Sequence, residues 1–444
     1  MTASLQGQSI ELLQQLIRNG CINDGTPDSG HEGRNAEVLT SVLEGAGLEV
    51  ERFTPRGDRT SVVARIEGSD PTAPKVCLMG HTDVVPFNAT GWREDPLGGE
   101  LIAGEVWGRG AIDMLNLTAS MAVAMRHLAR SGFRPKGDLI FFGVADEEAM
   151  GVHGAKWMAE HRWEAIACDY VLTEMGGWSV HGPEGHKIGI SVGEKGLAWR
   201  RLRIKGTPGH GSMPFGADNA LVKAAEVIRR IAKYRPRARI DAMWRAQVAA
   251  AQLPDELKVA LLDPARVWEA CEKLPLAAAR HFHACTHTTF SSNVVHGGSK
   301  INMIPDLVEL DIDIRTMPGT TSEDVHAHLR EALGDLFDAV ELVTMSDHPA
   351  TLSSLDTPMW DALLRQVKAT YPDADFLPEL LVGATDARFF RDKGAVGYGT
   401  GLFDRNVSLA EFASRFHGHN ERIDVTSLGL CTDLWIGVAK DLLG

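Results

Sequence analysis

Basic residues are scarce in this 444-residue chain: 45 lysines and arginines stand against 59 acids, a formal net charge of -14. That balance argues against a nucleic-acid or anionic-membrane binder, which carries basic patches or stripes. Long apolar runs are missing too, and none approaches the ~20 residues that span a bilayer. The segment 1–20 lacks the basic and then apolar sections of a signal peptide. It carries Glu11 and an amphipathic set, Leu5, Ile10, Leu13, Leu16 and Ile17. A cytoplasmic protein acting on small molecules is the expectation. Cysteine is sparse and scattered (Cys21, Cys77, Cys168, Cys271, Cys285, Cys431), with no C-x-x-C spacing, so neither a zinc knuckle nor a redox pair is indicated. These residues read as reduced, mostly buried thiols, with a catalytic cysteine as the minor alternative. There is no internal repeat and no low-complexity linker.

What is present is an ordinary globular composition, 44% hydrophobic and 23% charged, in a chain too long for one core, which predicts two domains. In the opening part, 62–66, 76–79, 139–144 and 170–172 read as short buried strands, while 115–130 and 154–161 carry helical periodicity. Such alternation predicts an α/β sheet covered by helices, with ligands outside the carboxyl edge of its strands. The pattern changes near 189–205. A strand over 197–204, a Gly/Pro-rich turn over 206–211 and a helix over 219–232 come first. A long helical stretch over 239–280 follows, then strands over 288–296 and 307–315, a helix over 322–333 and a strand over 339–344. That β-α-β-β-α-β order predicts a small α+β domain of its own. Beyond 350, helix and strand patterns return that can complete the first sheet.

The strongest local signal is Met79-Gly80-His81-Thr82-Asp83, directly after an apolar strand. The imidazole can ligate a metal while the acid two residues on holds its other nitrogen in the right tautomer. Two H-x-[DE] spacings among 17 histidines and 59 acids are about what chance supplies, so context decides. In Gly108-Arg109-Gly110-Ala111-Ile112-Asp113-Met114 a glycine-rich loop leads to an aspartate at a helix start. Asp113 there can cap the helix or, with two oxygens to share, bridge two cations. Asp146-Glu147-Glu148 follows the strand 139–144. An acidic triplet is usually solvated surface, but at a buried strand end one carboxylate can face a metal and its neighbour take a proton from water. Glu174, before Met175-Gly176-Gly177, and His417, in Phe416-His417-Gly418-His419-Asn420-Glu421, carry little weight alone.

Together these segments resemble the M20 family of metallopeptidases, which includes aminoacylases, glutamate carboxypeptidases, acetylornithine deacetylase and succinyl-diaminopimelate desuccinylase. The resemblance rests on H-T-D, G-R-G-x-x-D-M, D-E-E and H-x-x-N-E in order along nearly the whole chain. It implies that His81, Asp113 and Glu174 hold one metal and Asp113, Glu148 and His417 the other. Asp83 then orients His81, and Glu147 is the general base. Three protein ligands per ion leave room for a water, as a catalytic zinc site requires; zinc is favoured, with cobalt or manganese as alternatives. The resemblance also implies a catalytic α/β domain with a mixed central sheet (1–189 and 349–444) and an inserted lid or dimerisation domain (190–348) carrying a helical insert over about 235–282. In the lid, His210 of Gly206-Thr207-Pro208-Gly209-His210-Gly211-Ser212 matches a histidine that reaches the neighbouring subunit's site and steadies the oxyanion. Asn293 matches a substrate-binding position, and Arg315 matches the residue that grips a substrate carboxylate, which a guanidinium can bind through both oxygens. A homodimer through the lid follows. Thr385-Asp386-Ala387-Arg388 and Gly399-Thr400-Gly401 resemble late active-site loops.

Two departures stand out. After Asp113-Met114 the family pattern continues Lys-Gly, whereas this chain has Leu115-Asn116, read as an altered surface contact near the bridge. The helical insert separates the chain from compact desuccinylases. The expected activity is therefore hydrolysis of an amide or peptide C–N bond beside a free carboxylate, in an N-acyl amino acid or a small peptide. Alternatives are a biosynthetic deacetylase or desuccinylase, more remotely an amidase or deaminase for an aromatic or xenobiotic substrate, and a non-catalytic binding module.

Overall fold

The computed structural model describes residues 4–444; Met1 to Ala3, where the reading of the N-terminal segment begins, lie outside the described residues. The apolar runs form strands Ser61–Ile66, Val76–His81, Leu139–Val144 and Tyr170–Thr173, and Leu115–Arg130 is the helix its periodicity predicts. These strands join a ten-stranded mixed sheet. Its order is Val50–Phe53, Ser61–Ile66, Leu139–Val144, Val76–His81, Tyr170–Thr173, Val396–Gly399, Gly185–Glu194 and Thr351–Leu352, with Gly176–Gly182 and Ala374–Leu381 also pairing Gly185–Glu194. The late strands thus complete the first sheet, as expected.

Side chains alternate across a strand, and the two cores divide accordingly. Ala64, Leu78 and Phe141 face a core shared with helices Leu5–Arg18, Leu115–Arg130 and Val425–Leu443, while Val63, Cys77 and Phe142 face one shared with Ala155–His161 and Phe390. The central strands are covered on both faces, which explains why they read as continuous apolar runs rather than alternating ones. Helix Leu115–Arg130 lies so close to the sheet that a Cβ at Gly80 would sit 2.4 Å from Thr118 Oγ1. Thr118 Oγ1 instead donates to the carbonyl of His81, at 2.8 Å.

A five-stranded antiparallel sheet forms from Gly196–Leu197, Arg200–Lys205, Thr289–Gly297, Leu307–Thr316 and Val340–Thr344, covered by helices Ala220–Lys233 and Ser322–Leu333 around a separate core. Its chain order is the predicted β-α-β-β-α-β. Three details differ from the sequence reading. The strand expected over 197–204 is broken between Leu197 and Arg200, and a boundary at 189 falls inside Gly185–Glu194, which belongs to the first sheet. The continuous helical stretch expected over 239–280 is four short helices, Ala242–Ala250, Asp255–Leu261, Val267–Glu272 and Leu276–Thr286. Pro254 and Pro275 stand immediately before two of them, where a ring without an N–H can start a helix but not continue one. This insert packs beside the first sheet: its core takes in Val382, and Gln252 donates to the carbonyl of His181. No helix among the described residues is long and apolar enough to cross a membrane.

Candidate metal centre

Strands Leu139–Val144, Val76–His81, Tyr170–Thr173 and Val396–Gly399 run parallel, so their carboxyl ends share one edge of the sheet. His81 ends one strand, Asp146-Glu147-Glu148 follows another, and Glu174 follows a third. A small sheet brings in the remaining pieces. Arg422–Asp424 pairs antiparallel with Glu105–Trp107, which sets His417 beside the loop that leads to Asp113.

The atoms converge. His81 Nε2 lies 3.1 Å from Asp113 Oδ1 and 3.9 Å from Glu174 Oε2. His417 Nε2 lies 3.1 Å from Asp113 Oδ2 and 3.5 Å from Glu148 Oε2. The donor atoms of His81, Asp113 and Glu174, and those of Asp113, Glu148 and His417, each fall within 4.8 Å of one another. Two groups of three thus share Asp113, one oxygen to each. Four donors held tetrahedrally at zinc–ligand lengths are about 3.4 Å apart, close to these separations. The chemistry of the set also fits a cation. Glu148 Oε1 is buried without a hydrogen-bond partner among the described residues, and the adjoining 300 Å³ cavity is lined by Asp113, Glu147, Glu148 and Glu174 with no lysine or arginine. Buried anions require a compensating charge, and divalent cations supply it.

Glu147 lines the same cavity but belongs to neither group of three. Its turn is held from beneath. Asp146 adopts the left-handed region at φ 69°, and the buried Asp83 carboxylate accepts from the backbone N–H of Glu147 (3.3 Å) and Glu148 (3.1 Å) and from Asn23 Nδ2 (2.8 Å). The sequence pattern predicts that Asp83 orients His81 through its carboxylate. The structure instead sets the Asp83 backbone carbonyl 2.9 Å from His81 Nδ1, with the carboxylate 3.6 Å away and occupied by the turn. Nor does Asp113 cap the following helix, whose N-cap is Met114. Leu115 and Asn116, read as a surface contact, are both buried.

Burial depresses the His81 imidazolium, but the hydrogen bond to Asp113 and the charges of Glu174, Glu147 and Asp83 outweigh it and hold its pKa well above the ordinary value. Hydrogen bonds to Asp113 and Glu148 raise His417 to about 10. Burial opposes ionisation of Asp113, yet the bonds from His417 and His81 keep its carboxyl below the usual range. Burial and the neighbouring carboxylates push Glu148 and Glu174 up; burial does the same to Glu147, against the attraction of His81.

Several buried residues around this centre were given no individual role from sequence. Arg59 joins Glu32 (2.7 Å), Asp146 (3.4 Å) and Asn23 Oδ1 (3.0 Å) in a buried network under the acidic turn. Nothing in the spacing of these residues marks them, because their contacts are long-range. Asp386 lies buried with neither oxygen hydrogen-bonded among the described residues, and burial raises it to about 7. Glu421, the last letter of the H-x-x-N-E pattern, accepts from the N–H groups of Ile112 (2.8 Å) and Asp113 (3.0 Å) and from Arg109 Nη1 (2.7 Å). Arg109 Nη2 in turn donates to the carbonyl of His417, at 3.3 Å. One buried pair therefore sets both the shared aspartate and a histidine. Glu421→Ala leaves Arg109 buried without its partner, a loss of roughly 3–5 kcal/mol. We expect a lower unfolding midpoint and reduced metal content on elemental analysis, and an unchanged midpoint contradicts this role.

The lid residues expected at the site stand apart from it, and none lines the cavity. His210 is exposed on the short strand Gly209–His210, with its Nδ1 accepting from the Ser212 N–H at 3.2 Å, so Nε2 is left to donate. Asn293 sits at an irregularity of the strand Thr289–Gly297, its Oδ1 accepting from Ser291 Oγ. Arg315 pairs with Asp313 at 2.8 Å.

A helix-covered mixed sheet with imidazoles and carboxylates gathered at its carboxyl edge defines a metal-dependent hydrolase of the α/β class. The chain belongs to peptidase family M20/M25/M40, whose family model matches residues 77–441. It is 28% identical over 415 residues to a succinyl-diaminopimelate desuccinylase of Rhodospirillum centenum, covering 90% of this chain and 93% of that one. It is 27% identical over 434 residues to the N-fatty-acyl-amino acid synthase/hydrolase of Mus musculus, covering 91% and 83%. Among solved structures, an M20 family metallo-carboxypeptidase from Sulfolobus solfataricus superposes with a TM-score of 0.71 over 99% of both chains at 16% identity. A dinuclear metal-binding M20 peptidase of Bacillus subtilis gives 0.58 over 98% of both at 15%. The fold is that of the family.

Proposed function

We propose that this protein hydrolyses the C–N bond of N-acyl amino acids or small peptides bearing a free carboxylate, using two divalent cations held by His81, Asp113 and Glu174 and by Asp113, Glu148 and His417. The observation that carries this reading is Asp113, whose two oxygens each face one histidine at 3.1 Å. Mixed nitrogen and oxygen donors suit zinc, and also cobalt or manganese. Bound there, the cations supply Lewis acidity to a water and to the scissile carbonyl. Glu147, at the cavity wall, accepts the proton of the attacking water and passes it to the leaving nitrogen. Asp83 keeps Glu147 and Glu148 in place through their backbone N–H groups; Arg315 and Asn293 do not line the cavity and keep only the substrate-binding roles that the family pattern gives them. The six free cysteines fit the reducing cytoplasm.

Metal removal tests the core of the proposal. Chelated protein should lose turnover of N-acyl amino acids and recover it with zinc, cobalt or manganese; full activity without metal overturns it. Binding should also depend on pH. Glu147, Glu148, Glu174 and His417 all hold protons above their ordinary range, and the ligands among them must release these to coordinate. Cation affinity therefore rises with pH through neutrality and falls on acidification. Titration calorimetry in buffers of different ionisation enthalpy reads the released protons, and no release on binding contradicts the ligand set.

The edge of the lid sheet supports a homodimer. Among the described residues Thr289–Gly297 pairs only with Leu307–Thr316 and so presents an open edge, and such an edge invites pairing with another chain. Exposed Val294 and Val295 lie on this strand, and exposed Leu221 approaches its end at Gly298. In the dimer His210 donates to the oxyanion of the neighbouring subunit's reaction, a contribution of about 10²–10³ in turnover. His210→Ala and Glu147→Gln should each be inactive alone, while mixed dimers regain one working site from two dead parents. Failure of the mixture to regain activity excludes action across subunits.

A further inference from the structure

The last helix of the insert, Leu276–Thr286, carries His281, His283 and Cys285, and His287 follows it directly. Residues four apart share a helix face, so the segment offers two pairs. The first is satisfied internally, with Cys285 Sγ 3.5 Å from His281 Nε2. The second is not. The rings of His283 and His287 stack with centroids 4.5 Å and planes 15° apart, yet Nε2 of each is buried without a hydrogen-bond partner among the described residues. Trp268, from the helix Val267–Glu272, meets both rings edge-on, at 4.5 Å from His283 and 5.5 Å from His287, and its indole Nε1 is buried and unpartnered as well.

Three orphaned nitrogens in one aromatic cluster call for an occupant, because buried polar atoms are almost always paired. The tautomer of one ring is fixed. His287 is fully buried, and its Nδ1 lies 3.0 Å from the carbonyl of His283. A carbonyl only accepts, so Nδ1 carries the proton and Nε2 presents a lone pair. This anchoring of one ring nitrogen on a backbone carbonyl is what orients a ligating histidine. The spacing, two histidines separated by three residues, is one at which imidazole pairs hold zinc.

We propose that His283 and His287 form a further cation site, separate from the metal centre, that takes a late first-row divalent cation such as zinc, nickel or copper through their two Nε2 atoms, with water completing its shell. Imidazole suits these metals, whereas calcium and magnesium require oxygen donors. Among the described residues no third histidine, cysteine or carboxylate converges on the pair, so the site fills after the two groups of three. The indole N–H of Trp268 then donates to a water on the cation. The site lies where the insert is tied to the joint between the sheets. Lys195 stands between Glu194 of the first sheet and Gly196 of the lid sheet. Its ammonium donates to the carbonyls of Ala284 (2.9 Å) and His287 (2.6 Å) and to Thr289 Oγ1 (3.4 Å). A cation on His283 and His287 clamps the helix end that Lys195 grips.

The test is a metal count on the full-length protein, by equilibrium dialysis against rising zinc or nickel followed by elemental analysis. The wild type should bind one equivalent more than either His283→Gln or His287→Gln, and its unfolding midpoint should rise further as that equivalent enters. Both variants should keep wild-type turnover. Equal counts in the wild type and both variants overturn the proposal, either because the pair holds water only or because the extra ion sits elsewhere. Neither result bears on the hydrolase reading, which stands or falls on turnover and on the ions bound first. Where a variant does not fold, copper(II) added to the zinc-loaded wild type decides. Its electron paramagnetic resonance spectrum should show coupling to two imidazole nitrogens. Each group at the metal centre contains a single histidine, so coupling to one nitrogen or none overturns the assignment.

Discussion

Asp113→Asn is expected to lower metal content from two equivalents per chain to at most one, and to cut kcat/KM by more than about 100-fold, the upper end of what loss of an outer-sphere partner costs. The reason is geometric. Asp113 is the one side chain common to both groups of three, with Oδ1 at 3.1 Å from one histidine and Oδ2 at 3.1 Å from the other. An amide presents one oxygen and one NH₂ group, so a single face of the residue keeps an acceptor and the other turns a donor toward a cation. Both the charge and the symmetry of the bridge are lost. The substitution changes almost no volume, and Glu421 still accepts from the backbone N–H at this position, so the fold should survive. Elemental analysis after dialysis, alongside circular dichroism, separates the two effects; two tightly bound ions in this variant would remove Asp113 from the bridge.

Glu147→Gln is expected to behave in the opposite way, keeping two equivalents of metal and losing at least about 100-fold in turnover, the range of a positioned general base. Glu147 lines the cavity yet contributes to neither group of donors. Its backbone N–H is held by Asp83, a contact the glutamine retains. Burial keeps its carboxyl pKa well above the ordinary value in the metal-free protein, and nearby divalent cations act in the other direction, so the bound metals bring it back toward the range a base needs. The acid limb of the kcat/KM profile should therefore vanish or shift in the variant that retains metal. Wild-type turnover from Glu147→Gln, or loss of its metal, contradicts the role.

These variants and the Glu421 pair report on different layers of the same site. In the proposed site Asp113 is a donor, Glu147 is a neighbour of the donors, and Glu421 acts through the loop that presents Asp113. The layers are distinguishable by readout: metal content falls in the first and third, thermal stability falls mainly in the third, and turnover alone falls in the second.

Much of this was legible before any coordinates. The helix Leu115–Arg130 and the strand Leu139–Val144 begin and end where their periodicity places them, because an apolar run or a helical stripe is a local property of the chain. The five donors could be named because they sit in short motifs at strand ends and a helix start. The insert was legible only as helical; that it breaks into four short helices and packs on the first sheet depends on which surface it meets. His210, Asn293 and Arg315 were legible as candidates, but none of them lines the cavity, and an action of His210 across subunits is not a property of one chain.

The sequence by itself determined the elements, the mixed α/β class and the residue types able to hold cations, since each is encoded over a few consecutive residues. Only the tertiary structure decided that His81 and His417, 336 positions apart in number, face opposite oxygens of one aspartate. It alone assigned Glu32, Arg59, Arg109 and Glu421 to the support beneath them. The physical reason is that a buried charge must find its partner wherever packing brings one, and packing joins segments whose separation along the chain carries no mark of their meeting.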